Sequence, residues 1–214
     1  MSANHAAFNL IFRFVENYIS PIAGRISSQR HVMAIRDGFI SAMPFMIVGS
    51  FLLVFAYPPF SPDTTWGFAR AWLDLAKEFE GRILTPFDMT MGIMSIYICA
   101  AISYNLGKHY EKSNQLDPFM CAMLSIMAFL LIAAPKTNGT LPVDSLGGTG
   151  IFTAILVAIY CVEMMRFLKA HNIGIRLPDQ VPPMIKNSFD LLIPVLVVVL
   201  TLYPLSLFIQ HHFD

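Results

Sequence analysis

Long apolar runs separated by short polar passages dominate this chain. Five of them reach near-spanning length: Gly38–Phe60, Thr90–Gly107, Pro118–Pro135, Gly150–Leu168 and Phe189–Gln210. A helix needs roughly 20 apolar residues to cross a hydrocarbon layer about 30 Å thick. The runs are continuous rather than alternating, which predicts helices and not barrel strands. The expected fold is an all-α membrane protein with about five transmembrane helices.

Two further stretches alternate at helical spacing instead. Within residues 8–26, Phe8, Ile11, Phe12, Val15, Tyr18, Ile19 and Ile22 share one face, opposite Arg13, Glu16 and Asn17. That pattern predicts an amphipathic N-terminal helix lying in the headgroup region. The stretch TWGFARAWLDLAKEFEGRIL mixes Trp66, Phe68, Trp72 and Phe79 with charges. It predicts an interfacial helix in the first outer loop, its two tryptophans belonging to an aromatic belt.

Prolines punctuate the pattern. Pro44, Pro194 and Pro204 fall inside apolar runs, where a missing N–H is expected to kink a helix. The passage RLPDQVPPMIKNSFDLLIP, Arg176 to Pro194, holds Pro178, Pro182 and Pro183. These predict a stiff, extended connector, with Ser188 as a candidate N-cap for the last helix.

Composition agrees with the membrane reading. The 214 residues are 56% hydrophobic and 13% charged, against about 25% charged in an average soluble domain. A formal net charge of zero gives no support to a nucleic-acid partner. Cys99, Cys121 and Cys161 are widely spaced within apolar runs and imply no disulfide framework. The charged N-terminal residues do not make a cleavable signal peptide.

Basic residues set the expected orientation. Arg13, Arg25, Arg30 and Arg36 precede the first run, Lys108 and Lys112 follow the second, and Arg166, Lys169, Arg176 and Lys186 follow the fourth. Arg70, Lys77, Arg82 and Lys136 lie in the alternate loops. Placing the N-terminus in the cytoplasm and the C-terminus outside therefore puts ten basic residues inside and four outside.

Motifs for chemistry are few. There is no phosphate-binding glycine loop, no H-E-x-x-H and no nucleophile elbow. No catalytic residue, metal site or cofactor is expected, and Asn138-Gly139-Thr140 reads as a turn. The six histidines sit at loops or run ends, none paired with a carboxylate at helical spacing inside a run. Glu163 lies within the fourth run, and an intramembrane carboxylate is a candidate transport residue. Arg166 at i+3 can instead hold it in a local ion pair. Asp37, beside Arg36, and Asp190, at the mouth of the last run, are expected at the interface. Asp88, beside Pro86, is a candidate cap for the second helix.

Four ordered blocks add a resemblance: HVMAIRDGFISAMPFMIVGSFLLVF, MTMGIMSIYICAAISYNLG, QLDPFMCAMLSIMAFLLIAAP and RLPDQVPPMIKNSFDLLIP. The first carries a basic residue, Gly-Phe and Met-Pro; the last carries Leu-Pro-x-x-Val-Pro and Ser-Phe-x-x-Leu-Ile-Pro. Together they resemble the N-terminal half of a lactose/cellobiose-type enzyme IIC, the sugar permease of the bacterial phosphotransferase system. The resemblance implies a homodimer in the bacterial inner membrane, with ten transmembrane helices per subunit. It implies a disaccharide or β-glucoside substrate, and phosphorylation by a soluble enzyme IIB fed by enzyme IIA. Residues 1–214 are expected to form one membrane domain corresponding to the dimer-interface half, the transport half appearing absent. No residue matches the family's sugar-contacting histidine or glutamate, so none is assigned. Three readings stay open: a component of a sugar permease; a truncated, non-transporting protein that dimerises with or regulates a full-length one; or an ion-coupled transporter with Glu163 as its proton site, for which one buried acid stands where a relay usually shows several.

Overall fold

The computed structural model describes residues 24–25, 27–134, 142–175 and 182–213. The expected amphipathic helix over 8–26, Gly24 and Arg25 apart, the Asn138 turn, Arg176 and Pro178 lie outside these residues. Seven α-helices are present among them: α1 (Arg30–Ala56), α2 (Gly67–Asp88), α3 (Met94–Asn114), α4 (Pro118–Ala133), α5 (Ile151–Ala170), α6 (Pro183–Asp190) and α7 (Leu192–Phe213). A 3₁₀ turn, Gly148–Gly150, leads into α5, and no strand occurs among the described residues.

Five of these helices, α1, α3, α4, α5 and α7, correspond to the five apolar runs, with shifted ends. Helix α1 starts before its run and α3 continues past Gly107 through the polar Lys108–Asn114. Hydropathy marks where lipid-compatible residues stop, whereas a helix continues as long as its backbone ladder is satisfied. Helix α3 is the hub and packs against α1, α4 and α5, while α7 closes on α4 and α5. Its inner residues Ile98, Ile102 and Leu106 meet Phe129 of α4 and Val162 of α5 in one core.

Helix α1 buries a stripe of small residues, Ala34, Gly38, Ala42, Gly49 and Ala56. Small residues allow two helix backbones to approach closely, and α1 uses them against α3. Its outer face exposes Ile40, Ile47, Phe51 and Val54. By length and composition α1 and the segment Gly148–Ala170 are apolar enough to cross a membrane, while the apolar parts of α4 and α7 are shorter. Only 17% of the most apolar stretch of α1 is buried, and 39% of that containing α5. The core helix of a soluble protein would be covered; these faces need lipid or another subunit.

Helix α2 packs mainly on the C-terminal end of α1. Trp72 Nε1 donates to the Phe55 carbonyl at 3.2 Å and Tyr57 Oη donates to Glu80 Oε1 at 2.9 Å. That hydrogen bond, with the nearby carboxylate charge, raises the Tyr57 pKa above the usual 10.0. Phe55, Phe60 and Phe68 surround the Trp72 ring. The second amphipathic stretch thus folds as a helix against the end of α1, as its periodicity predicts.

Several local expectations change. Asp88 ends α2 and does not cap α3, whose N-cap position is Ile93. Tight turns over Phe87–Met94 separate the two helices. The cap that does form is Asp117, whose Oδ1 accepts from Phe119 N at 2.9 Å and Met120 N at 3.3 Å, with Pro118 at the first helical position. The proline-rich connector is not extended throughout. Pro183 opens α6, because the first turn of a helix loses nothing to a missing N–H. Ser188 therefore lies within α6 and does not cap the last helix. Pro194 occupies the first turn of α7, for the same reason no site for a kink, while Pro44 and Pro204 lie inside helices.

Candidate functional site

Helices α1, α4, α6 and α7 begin, and α3 and α5 end, at one pole of the bundle. The described polar residues with the densest side-chain contacts gather there in two adjoining groups.

The first group centres on Glu163 of α5. Arg166 Nη2 lies 2.7 Å from Oε2, the i+3 contact that helical spacing allows. Oε1 accepts from Tyr110 Oη of α3 at 2.8 Å and faces His31 Nε2 of α1 at 2.9 Å. A carboxylate only accepts, so the His31 contact requires Nε2–H as donor. One carboxylate thus ties three helices together. The guanidinium of Arg166 also lies 4.8 Å over the Tyr110 ring, and that of Arg30 lies 5.4 Å over it. Such stacking contributes about 0.5–1 kcal/mol when exposed and more when desolvated. The Glu163 side chain retains 26% exposure, so its ion pairs are partly screened.

The second group lines a cavity of about 560 Å³ between the ends of α3 and α5, the second half of α6 and the start of α7. Gln115 and Asn172 on its rim adopt left-handed backbone, with φ 53° and 55°. Both end helices, and Asn tolerates this conformation well. Lys169 Nζ donates to the Gln115 carbonyl at 2.6 Å and lies 3.5 Å from Asp190 Oδ2. Lys169 thereby joins the α3–α4 turn, the end of α5 and the end of α6. Replacing Lys169 with Ala should lower stability by about 1 kcal/mol, the worth of one charged hydrogen bond and a partly exposed ion pair. Thermal unfolding of the detergent-purified chain measures it, and Lys169→Arg should recover most of the loss.

Sequence-predicted positions divide accordingly. Glu163 and Arg166 stand together, and Asp190 lines the cavity with Lys169. Pro182 is exposed just before α6, and Pro183 starts that helix. The structure adds His31, Tyr110, Lys169 and Gln115, whose contacts span 132, 53 and 54 residues of chain. No local spacing encodes such separations. Among the described residues, no group of three or more His, Cys, Asp or Glu is arranged to hold a metal ion.

Known proteins resemble the chain throughout. The family model described as "Phosphotransferase system, EIIC" matches residues 36–213. A cellobiose-specific EIIC component of Geobacillus stearothermophilus is 35% identical over 206 residues, covering 87% of this chain and 43% of that relative. The lichenan permease IIC component of Bacillus subtilis is 30% identical, covering 94% and 46%. A lactose-specific EIICB component of Streptococcus mutans is 33% identical, covering 89% and 33%. The crystal structure of the transporter ChbC, the IIC component from the N,N'-diacetylchitobiose-specific phosphotransferase system, superposes with a TM-score of 0.76 at 33% identity, covering 93% of this chain and 47% of that one. The chain spans less than half the length of these relatives.

Proposed function

The chain belongs to the EIIC family of the phosphotransferase system, and on that premise we propose that it acts within a permease for a cellobiose- or lactose-class sugar. It is a membrane protein with the all-helical fold of that transporter family. The observation that carries the substrate class is the agreement among relatives: those named for cellobiose, lichenan and lactose match along nearly the whole chain. Uptake would be coupled to phosphorylation of the sugar by enzyme IIB.

The chain supplies the dimer-interface half of such a permease. The apolar outer face of α1, with a shallow groove lined by Met43, Met46, Ile47, Ser50, Phe51 and Val54, supports a homodimer contact. The N-terminus is cytoplasmic and residue 214 external. Arg30, Arg36, Lys108, Lys112, Arg166, Lys169 and Lys186 lie on the half of the bundle facing the Glu163 pole, whereas Arg70, Lys77 and Arg82 lie on α2 at the other. That asymmetry supports the Glu163 pole as the cytoplasmic one. Enzyme IIB would approach the permease from the same side.

Radiolabelled cellobiose and lactose uptake tests this reading, in bacteria lacking other β-glucoside permeases but supplied with enzymes IIA and IIB. The chain co-expressed with the second half of a cellobiose EIIC relative should take up and phosphorylate at least one of the two sugars. Crosslinking to a full-length relative without uptake in any combination would favour a non-transporting, regulatory partner. Uptake by the chain alone would overturn its assignment to the interface half.

A further inference from the structure

Arg30 and Arg166 come from α1 and α5, yet both guanidiniums lie over the ring of one residue of the helix between them, Tyr110, at 5.4 Å and 4.8 Å. Two like charges held on one ring repel each other unless anions compensate them. Glu163 is the one carboxylate contacting this group among the described residues, and it is shared: Oε2 meets Arg166, while Oε1 meets His31 and Tyr110. Arg30 contacts Tyr110 through this ring stacking, and its side chain is exposed. A guanidinium offers five N–H donors. Arg166 commits one to Glu163 and keeps 42% side-chain exposure. The pair therefore presents planar donors toward solvent with a surplus of positive charge.

Away from this pair the helices expose apolar side chains. Phe167, next to Arg166 in sequence, is 52% exposed, and Ile40 and Met43, about three turns further along α1, are similarly open. Planar cations at the polar end of an apolar helix surface match the two parts of a phospholipid, and basic pockets between membrane helices bind anionic headgroups.

We propose that Arg30 and Arg166, held over Tyr110, form a seat for a phosphate-bearing anion, supplied by the headgroup of an anionic phospholipid whose acyl chains lie along the exposed faces of α1 and α5. Glu163 and His31 are positioning residues for this seat: the carboxylate holds Arg166 on the ring, and His31 ties α1, and with it Arg30, to the same point. The seat does not depend on which sugar is carried or on which way the chain crosses the membrane.

Native mass spectrometry of the detergent-purified chain tests it, by titration with phosphatidylglycerol or phosphatidylcholine of identical acyl chains. Wild type should retain phosphatidylglycerol in preference. Arg30→Gln should weaken that retention about fivefold, the share of one arginine near a headgroup. Arg30→Lys should restore part of it, retaining charge without the planar fork. Arg36→Gln is the control, because Arg36 is already bonded to Asp37 at 2.8 Å, and it should change nothing. Equal retention of both lipids, or equal losses in Arg30→Gln and Arg36→Gln, would overturn the seat and leave only general attraction to a basic surface. Inorganic phosphate is the second arm. If millimolar phosphate displaces the lipid from wild type and protects it, but not Arg30→Gln, against thermal unfolding, the seat stands and its anion comes from water. No displacement, with lipid preference intact, assigns the bilayer as its source.

Discussion

Gly38→Val should cost this chain about 3 kcal/mol of stability, or leave it unable to fold. A Cβ at Gly38 would sit 2.9 Å from the backbone N and 3.0 Å from the Cα of Ile102, and would overlap that residue's Cγ1. The Ile102 side chain can turn away, but its backbone belongs to α3, the hub of the bundle, and cannot yield without moving α4 and α5. Overpacking of this kind typically costs 1–3 kcal/mol and occasionally more. The control is Gly81→Ala. Gly81 lies inside α2 with nothing within 4 Å of an added Cβ, so replacing it should stabilise by up to about 1 kcal/mol through helix propensity. Thermal unfolding in one detergent should move in opposite directions for the two variants. An unchanged midpoint for Gly38→Val would mean that α1 does not cross α3 at this point.

Glu163→Ala should have the second-largest effect, a loss of about 2 kcal/mol. It removes the acceptor shared by donors from three helices and leaves Arg166 beside Arg30 without a counter-charge. Hydrogen bonds to charged groups contribute about 1.5–3 kcal/mol each when dry. With 26% of the Glu163 side chain exposed, water recovers part of that for the stranded donors, so the three do not sum. The coupling is measurable. His31→Ala and Glu163→Ala share one contact, so the double variant should lose about 1 kcal/mol less than the two single losses added. Glu163→Gln should fall between wild type and Glu163→Ala, since its amide oxygen still accepts from Tyr110 while the ion pair with Arg166 is gone. Additive losses in the double variant would show that the His31–Glu163 contact does not hold α1 to α5.

Much of the architecture was readable along the chain. Five apolar runs became the five longest apolar helices, because lipid-compatible composition and helical backbone satisfaction go together. The TWGFARAWLDLAKEFEGRIL stretch became a helix against the end of α1, since its aromatic face had to be covered and its charged face could not be. The Glu163–Arg166 contact followed from i+3 spacing alone. The Asp117 cap was equally local, an Asp-Pro pair before an apolar run, and could have been found by the same reasoning. The proline connector departs from the extended form because a proline breaks a helix it interrupts but favours one it begins. Whether Pro183 and Pro194 interrupt or begin depends on where the preceding helix stops.

Sequence by itself thus determined the class of fold, the helical segments and the concentration of basic residues in alternate loops. Each of these depends on composition or on neighbours a few residues apart. Only the tertiary structure decided that His31, Tyr110, Glu163, Arg166 and Arg30 meet at one ring and one carboxylate, and that Lys169 joins Gln115 to Asp190. Those meetings depend on how α1 and α5 pack on either side of α3. The packing is set by where small residues such as Gly38 let two backbones come close, and a linear pattern shows small residues without showing which partner each will face.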